Sequence, residues 1–304
     1  MSRAIVIGHS GQDGTYLSEY LRRRGDVVIG VGHGDLDLAD AEEVGKFLLK
    51  ETPSELYYLA AFHHSSEERD LEGEADLFRR SFEIHVQGVV SFLEAIARYL
   101  PQSRFFYASS SHVFGRAEHS TQTEATPFRP ENIYGISKAA GIETCRYYRR
   151  KYGIHASCGI LYNHESERRS VRFVSQKIVR GAIEVSRGEI EGIRLGDLDA
   201  VIDWGYAPDY VEAMTLILAQ DQADDYIIAS GIARTVREFV SLAFSLVGLD
   251  WKNHVTVDPT LISSGTMPIL VGNAIKLRAR TGWQPRTSFV EMVEKMIQSA
   301  SDER

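Results

Sequence analysis

The stretch "AIVIGHSGQDGTYL", Ala4 to Leu17, decides the fold. A short apolar run ends at Gly8, glycines follow at Gly11 and Gly14, and a helical pattern then covers residues 15–24. Glycines at G-x-x-G-x-x-G spacing let the backbone approach a pyrophosphate, and a helix N-terminus favours its charge. Glycine triplets also make ordinary turns. Strand, glycines and helix in this order favour a dinucleotide loop, with Gly8, Gly11, Gln12, Asp13 and Gly14 as its contacts.

Outward from this loop the chain alternates. "VVIGV", "ELYYLAA", "RFFYASS" and "HASCGILY" are short, continuous apolar runs, separated by helical patterns over residues 41–50, 74–99 and 134–152. Such runs are strands of a parallel sheet covered by helices on both faces. The expected fold class is α/β, a doubly wound, Rossmann-like parallel sheet with a smaller C-terminal α/β unit. Its ligands should sit at the carboxyl ends of the strands. After Asn163 the charged run "HESERRSVR" breaks the pattern. Residues 1–162 are expected to form the dinucleotide-binding domain, with 201–230 returning to it. Residues 163–200 and 231–304 are expected to form the second domain, with the site in the cleft between them.

The 304 residues are 43% hydrophobic and 25% charged, which suits a soluble globular chain with a large core. A net charge of −8 argues against bulk electrostatic binding of nucleic acid, so an anionic ligand needs a local site of amides and arginines. No apolar run approaches the roughly 18 residues of a membrane span, and no membrane partner is expected. "RAIVIG" begins at Arg3 without the pattern of a signal peptide. Cys145 and Cys158 lack metal-ligand spacing, so both read as free thiols, no metal is expected, and the expected compartment is cytoplasmic.

The end of the second strand, "GVGHGDLD", carries no Arg or Lys for a 2′-phosphate. Asp35 lies about 20 residues beyond the last loop glycine, where an acidic contact is expected. The alternatives are a contact on the adenine side or a simple cap for the next helix. Leu36 and Ala60 complete the expected cofactor contacts. The expected cofactor is NAD or NADP, and the missing basic residue favours NAD.

"YGISK" puts Tyr134 and Lys138 four positions apart at the start of a helix, on one face. A lysine ammonium beside a phenol lowers it from its reference pKa of about 10. Upstream, "YASSSHVFG" ends a strand in three hydroxyls and an imidazole. With these parts in place the chain resembles the extended short-chain dehydrogenase/reductase superfamily, whose sites combine Ser or Thr with Tyr-x-x-x-Lys. "GQDGTYLSEYL", "LYNHESERR", "LGDLDA", "DWGYAPDYVEAM" and "TVREFV" resemble, more narrowly, the GDP-mannose 4,6-dehydratase family. The resemblance implies an enzyme that uses bound nicotinamide to oxidise C4 of a nucleotide-linked hexose, expected to be GDP-linked. It implies that Ser110 bonds the hydroxyl being oxidised, that Tyr134 is its acid/base, and that Lys138 tunes Tyr134 and holds the nicotinamide ribose. It further implies a homodimer or homotetramer built through the helices at 74–99 and 134–152.

In that family a second step follows, in which C5 loses a proton and the C6 hydroxyl departs, before hydride returns to C6. The family places Thr-Ser-Glu at the strand end, and its glutamate is the elimination base. Here the chain has Ser110, Ser111 and His112. An imidazole with a pKa near about 6.5 takes a proton at neutral pH, which makes His112 a catalytic candidate. The alternative is that His112 only bonds substrate and elimination is lost. His63 and His64 also end a strand and are either further polar ligands or solvated loop residues.

The resemblance puts Ser111, Asn163, Val174 and Lys177 at the substrate, with Asn163 near the diphosphate and Val174 and Lys177 toward the base. Family arginines are replaced by Gln176 and Ile202, and "SSGTMP" at 263–268 replaces a further arginine-bearing element. Arginine–phosphate contacts are charge-assisted and often bidentate, so Arg168, Arg169, Arg172 or Arg194 would have to compensate. Such a charged run is equally an ordinary solvated surface. The leading function is a nucleotide-sugar 4,6-dehydratase. The alternatives are a 4-ketoreductase, 4-dehydrogenase or epimerase on the same scaffold, and a dinucleotide sensor, which has no need of Ser110, Tyr134 and Lys138.

Overall fold

The apolar runs pair as parallel strands. The computed structural model describes residues 2–62, 73–262 and 269–302, so His63, His64 and the 263–268 segment lie outside the described residues. From the N-terminus come β1 (Arg3–Ile7), α1 (Gln12–Arg24), β2 (Val27–Val31), α2 (Ala41–Glu51) and β3 (Glu55–Tyr58). Next are α3 (Glu74–Phe82), a π-turn at Glu83–Gln87, α4 (Gly88–Tyr99), β4 (Arg104–Ser110), β5 (Thr121–Gln122), α5 (Ile133–Tyr152) and β6 (His155–Leu161). β7 (Asn163–Glu165), α6 (Val174–Ser186), β8 (Ile193–Leu195), β9 (Val201–Tyr206), α7 (Ala207–Leu218) and β10 (Asp225–Ile228) follow. The chain closes with β11 (Ala233–Thr235), α8 (Val236–Leu246), β12 (Val255–Val257), β13 (Val271–Gly272), α9 (Ile275–Thr281) and α10 (Phe289–Asp302).

Six parallel strands form the central sheet in the order β10-β6-β4-β3-β1-β2. The order reverses between β1 and β3, and the crevice beyond their carboxyl ends is where an open α/β sheet takes its ligand. Side chains alternate across the sheet. Ile5, Ile7, Leu56, Tyr58, Phe105 and Tyr107 join the core on one face, and Ala4, Val6, Tyr57, Phe106 and Ala108 join the core on the other. Both faces are buried, which is why the strands read as unbroken apolar runs rather than as alternating ones.

A third core, with Ile178, Val240, Phe244 and Met296, fills the space among α6, α8 and α10. β7, β9 and β11 make a separate three-stranded sheet beside it. β10 is the edge strand of the central sheet, and Tyr210, Met214 and Ile217 of α7 pack into the second core. Leu277 of α9 and Trp283 also belong to that second core, and β13 pairs with β5. The Trp283 indole donates to the Asp209 carbonyl at 3.0 Å, which fastens this returning segment to α7. Buried Asp203 ties the units together, accepting from the backbone N–H groups of Ser230, Gly231 and Gly272, each at 3.0 Å. Among the described residues no helix is long and apolar enough to cross a membrane.

The helix expected over 74–99 is broken by the π-turn, whose extra residue redirects His85 inward. In the glycine loop each position has its own constraint. Gly8 sits at φ +86°, and a Cβ on Gly14 would stand 2.2 Å from the Gly8 carbonyl oxygen. Gly11, the residue before α1, has φ −73°, and a Cβ there meets nothing nearer than 3.4 Å. Gly8 and Gly14 thus serve the fold, while Gly11 leaves the mouth of α1 open to a bound anion. Gly11→Val should therefore keep the thermal midpoint within about 3 °C of the parent, since surface changes are worth roughly 0.5 kcal/mol. Its affinity for a nicotinamide dinucleotide, measured by calorimetry, should fall at least about tenfold as the branched side chain blocks close backbone approach. Unchanged affinity would make the glycines a turn and nothing more.

Candidate active site

At the carboxyl end of β4 the chain leaves the sheet through a single 3-10 turn, Ser111–Val113. Ser110 caps it, its Oγ accepting from the His112 backbone N–H at 3.3 Å. α5 starts beside this turn, and contact is close because residue 135 is glycine: a Cβ there would stand 2.5 Å from the His112 carbonyl oxygen. Tyr134 and Lys138 on the first turns of α5 face the strand end. Together with Asp13, Asn163, His164, Arg169 and Phe173, the residues Ser110, His112, Tyr134 and Lys138 line a cavity of about 220 Å³.

The Tyr134 ring is held between two imidazoles. His85 meets it edge-on at 5.3 Å and 85°, and His112 at 5.8 Å and 88°. His85 is wholly buried, with Nδ1 2.8 Å from Ser137 Oγ and Nε2 accepting from the Phe62 N–H at 3.0 Å. The Lys138 amine donates to the Ala108 carbonyl at 2.8 Å and lies 5.7 Å from the Tyr134 ring centroid. Burial without a counter-charge pushes that amine down to about 7. Burial pushes the Tyr134 phenol up to about 12, partly offset by the positive charge of Arg169. The positive charge that draws Tyr134 downward here is that of Arg169. Burial pushes His112 below the ordinary imidazole value.

The opposite wall is ionic. His164 Nε2 lies 2.8 Å from an Asp13 carboxylate oxygen, and its Nδ1 lies 2.7 Å from the Tyr162 carbonyl. Both ring nitrogens face acceptors, so the protonated ring satisfies both. Burial alone would lower His164, but the Asp13 charge outweighs it and holds the imidazole above its ordinary value. The same pairing overcomes burial to keep the Asp13 carboxyl low. Gln12 joins in, donating to the His164 carbonyl at 3.1 Å and accepting from Ser166 Oγ at 2.8 Å. Arg169 lies 3.2 Å from buried Glu165 and stacks over Phe173 at 3.4 Å.

Not every expected residue meets at this cavity. Ser111 is buried under the turn, and Val174 packs against the third core at the start of α6. Lys177, on the same helix, is half-buried in the field of Asp258. Asp35, Leu36 and Ala60 gather instead beyond β2 and β3. Asp35 accepts from the Gly32 N–H at 2.7 Å, Leu36 packs on the first core, and the Ala60 backbone stands 2.9 Å from where a Gly8 Cβ would lie. Of the candidate arginines, Arg169 lines the cavity. Arg168 pairs with Glu19 at 2.8 Å, and Arg194 is exposed beside Asp258 at 3.9 Å. Gln176 is buried and donates to the Ser166 carbonyl at 3.0 Å, and Ile202 pairs in register with Arg234. The sequence reading missed His85, Asn132 and His164 as parts of one site and offered Arg169 only as one of four candidate arginines. His164 and Arg169 fall inside "NHESERR", whereas His85 depends on the π-turn and carries no local signal.

Lys138 gives a pH test with a defined sign. Its folded pKa, about 7, lies below the unfolded value, so between them the unfolded chain binds more protons and stability rises with pH. Relative to Lys138→Met, the parent should gain up to about 1.4 kcal/mol per pH unit between pH 7 and 10 in urea unfolding. A constant difference across that window would mean the amine keeps its proton in the fold.

Comparison with known proteins fits this geometry. The GDP-mannose 4,6 dehydratase family pattern matches residues 33–296. GDP-mannose 4,6 dehydratase 1 of Arabidopsis thaliana is 33% identical over 97% of this chain and 88% of its own length. Among solved structures, RMD from Pseudomonas aeruginosa complexed with NADPH superposes with a TM-score of 0.86 at 22% identity, covering 100% of both chains. A dTDP-glucose 4,6-dehydratase from Bacillus anthracis in complex with NAD gives 0.85 at 18% identity, covering 100% of this chain and 98% of that one. The two structures share the fold, while the family match runs from the residues after β2 through the Tyr–Lys helix to α10. The chain is a member of the GDP-mannose 4,6-dehydratase family of nucleotide-sugar enzymes.

Proposed function

We propose that the protein is a nucleotide-sugar 4,6-dehydratase acting on a GDP-linked hexose, with NAD as its nicotinamide cofactor. The observation that supports it most is the single cavity shared by Ser110, His112, Tyr134 and Lys138 at the mouth of the glycine loop. The residues fit a dinucleotide: Gly11 leaves the start of α1 open, and Gly14 admits the close strand–helix packing that a pyrophosphate site needs. Gly8, Gly11, Gln12, Asp13 and Gly14 would hold the pyrophosphate side, with Asp35, Leu36 and Ala60 toward the adenosine. A nicotinamide held there would supply the hydride acceptor, and later donor, that oxidation at C4 and reduction at C6 require.

The chain's own groups do the rest. Ser110 orients the C4 hydroxyl and Tyr134 takes its proton, which a phenol as high as about 12 does only when a cation arrives beside it. Lys138, near 7, supplies that cation once a ligand group gives it a partner. Arg169 and Asn163 line the side from which a diphosphate would enter. NAD is favoured because the end of β2 offers Asp35 on the Gly32 N–H and no basic residue. Exposed Tyr99, Tyr147 and Tyr152 on α4 and α5 favour a homo-oligomer built on these helices. A second reading, redox chemistry at C4 without dehydration, is favoured by the hydrogen bond between Asn132 and His112.

The test is turnover of a panel of nucleotide hexoses with product mass analysis, GDP-mannose included. A product lighter by one water supports the dehydratase; a 4-keto hexose that retains its C6 hydroxyl supports the second reading. Tyr134→Phe should lose at least about 100-fold in turnover, the scale of general acid–base catalysis, while binding cofactor as before. Activity within about tenfold of the parent would remove Tyr134 from the chemistry. In competitive titration NAD should bind at least about tenfold more tightly than NADP, the worth of one charge-assisted contact. An NADP preference of that size would refute the role given to Asp35.

A further inference from the structure

Asn132 carries two hydrogen bonds that together fix the proton on His112. It is the N-cap of α5, and its side-chain oxygen accepts from the Gly135 backbone N–H at 2.7 Å. A backbone N–H needs an acceptor, so the amide orientation is set: Oδ1 faces Gly135 and Nδ2 faces the other way. Nδ2 lies 3.0 Å from His112 Nδ1. An amide nitrogen only donates, so Nδ1 of His112 must present its lone pair. A neutral imidazole has one N–H and one lone pair, and the N–H is therefore on Nε2, the nitrogen left to face the cavity that His112 lines.

We propose that Asn132 is a positioning residue that holds His112 as the Nε2–H tautomer, so that the imidazole meets the hexose as a hydrogen-bond donor and elimination waits on a change of tautomer. The inference rests on the dehydratase reading for its substrate, but the tautomer itself does not. Elimination breaks C5–H and C6–O, forms the C5=C6 double bond and releases water, with no net oxidation in that step. The C5 proton needs an acceptor lone pair. In the held tautomer Nε2 has none, and Nδ1 has given its own to Asn132. Protonating the ring does not help, because Nδ1–H would then face the Asn132 N–H, donor against donor. Burial acts in the same direction, pushing the imidazole toward its neutral form. As a donor, Nε2–H suits an oxygen of the hexose at C4 or C6, so the 4-keto hexose accumulates ahead of the dehydrated product.

The test reads the ring directly. Protein carrying nitrogen-15 histidine, with His112→Gln to assign the signal, should show His112 near neutral pH with Nε2 protonated and Nδ1 bare. Asn132→Asp keeps a cap of equal quality but turns the facing group into an acceptor. The tautomer should then invert to Nδ1–H, and in single turnover the ratio of dehydrated to 4-keto product should rise about tenfold, the scale of one charge-assisted hydrogen bond. Asn132→Ser, which also caps, should leave His112 a mixture of tautomers. A parent spectrum with Nδ1–H, or an unchanged spectrum in both variants, would overturn the proposal. If the tautomer inverts as stated while no nucleotide hexose is converted by any of the proteins, the positioning role stands and the dehydratase reading fails.

Discussion

The pairing of Asp13 with His164, 151 positions apart in the chain, is the contact on which the site depends. Asp13 stands on the first turn of α1, where a carboxylate is stabilised by the helix dipole. His164 sits in β7, the strand that opens the second unit, and stacks on Tyr210 of α7 at 4.7 Å. One ion pair therefore joins the phosphate loop, the second sheet and a helix that packs on α1. Removing His164 would leave the part-buried Asp13 carboxylate without its charged partner, a loss of about 1.5–3 kcal/mol. The Gln12 amide repeats the link through the backbone of His164, so the loop cannot shift without moving the cavity's far wall.

Much of this was legible in the sequence because it is local. Buried parallel strands read as apolar runs, and glycines at fixed spacing after the first of them announce the loop. Tyr134 and Lys138 share a helix face by spacing alone. What was illegible depends on geometry between distant segments. A π-turn needs one extra residue in a helix whose pattern otherwise runs on, so residues 74–99 read as unbroken and His85 as an ordinary helical position. The role of residues 271–283 as a return to the first unit rests on Trp283 reaching the Asp209 carbonyl. Nothing in "NAIKLRARTG" specifies that partner.

The electrostatics of the Tyr–Lys pair follow from the same distinction. Spacing places the amine near the phenol, but spacing says nothing of solvent. In the folded chain both groups are out of water, and each is pushed toward its neutral form: Lys138 to about 7, Tyr134 to about 12. Two neutral groups exert little on each other. Arg169, held by Glu165 across the same space, is the fixed positive charge that already draws the phenol downward. The charge that draws Tyr134 downward thus comes from Arg169, beyond β7, rather than from the helix that carries the tyrosine.

Replacing a carboxylate by an imidazole at the strand end changes which neighbours matter. A carboxylate offers acceptor oxygens in every orientation, so the residues around it adjust its strength but not its role. An imidazole offers one lone pair when neutral, and the group on the far side of the ring decides where that lone pair points. At His112 that group is Asn132, which is itself pinned by the helix it caps. The start of α5 therefore governs two separate things: it brings Tyr134 and Lys138 to the cavity, and through Asn132 it faces His112 with an amide. The Asn132–His112 contact joins two residues 20 positions apart, so the immediate neighbours of neither residue announce it.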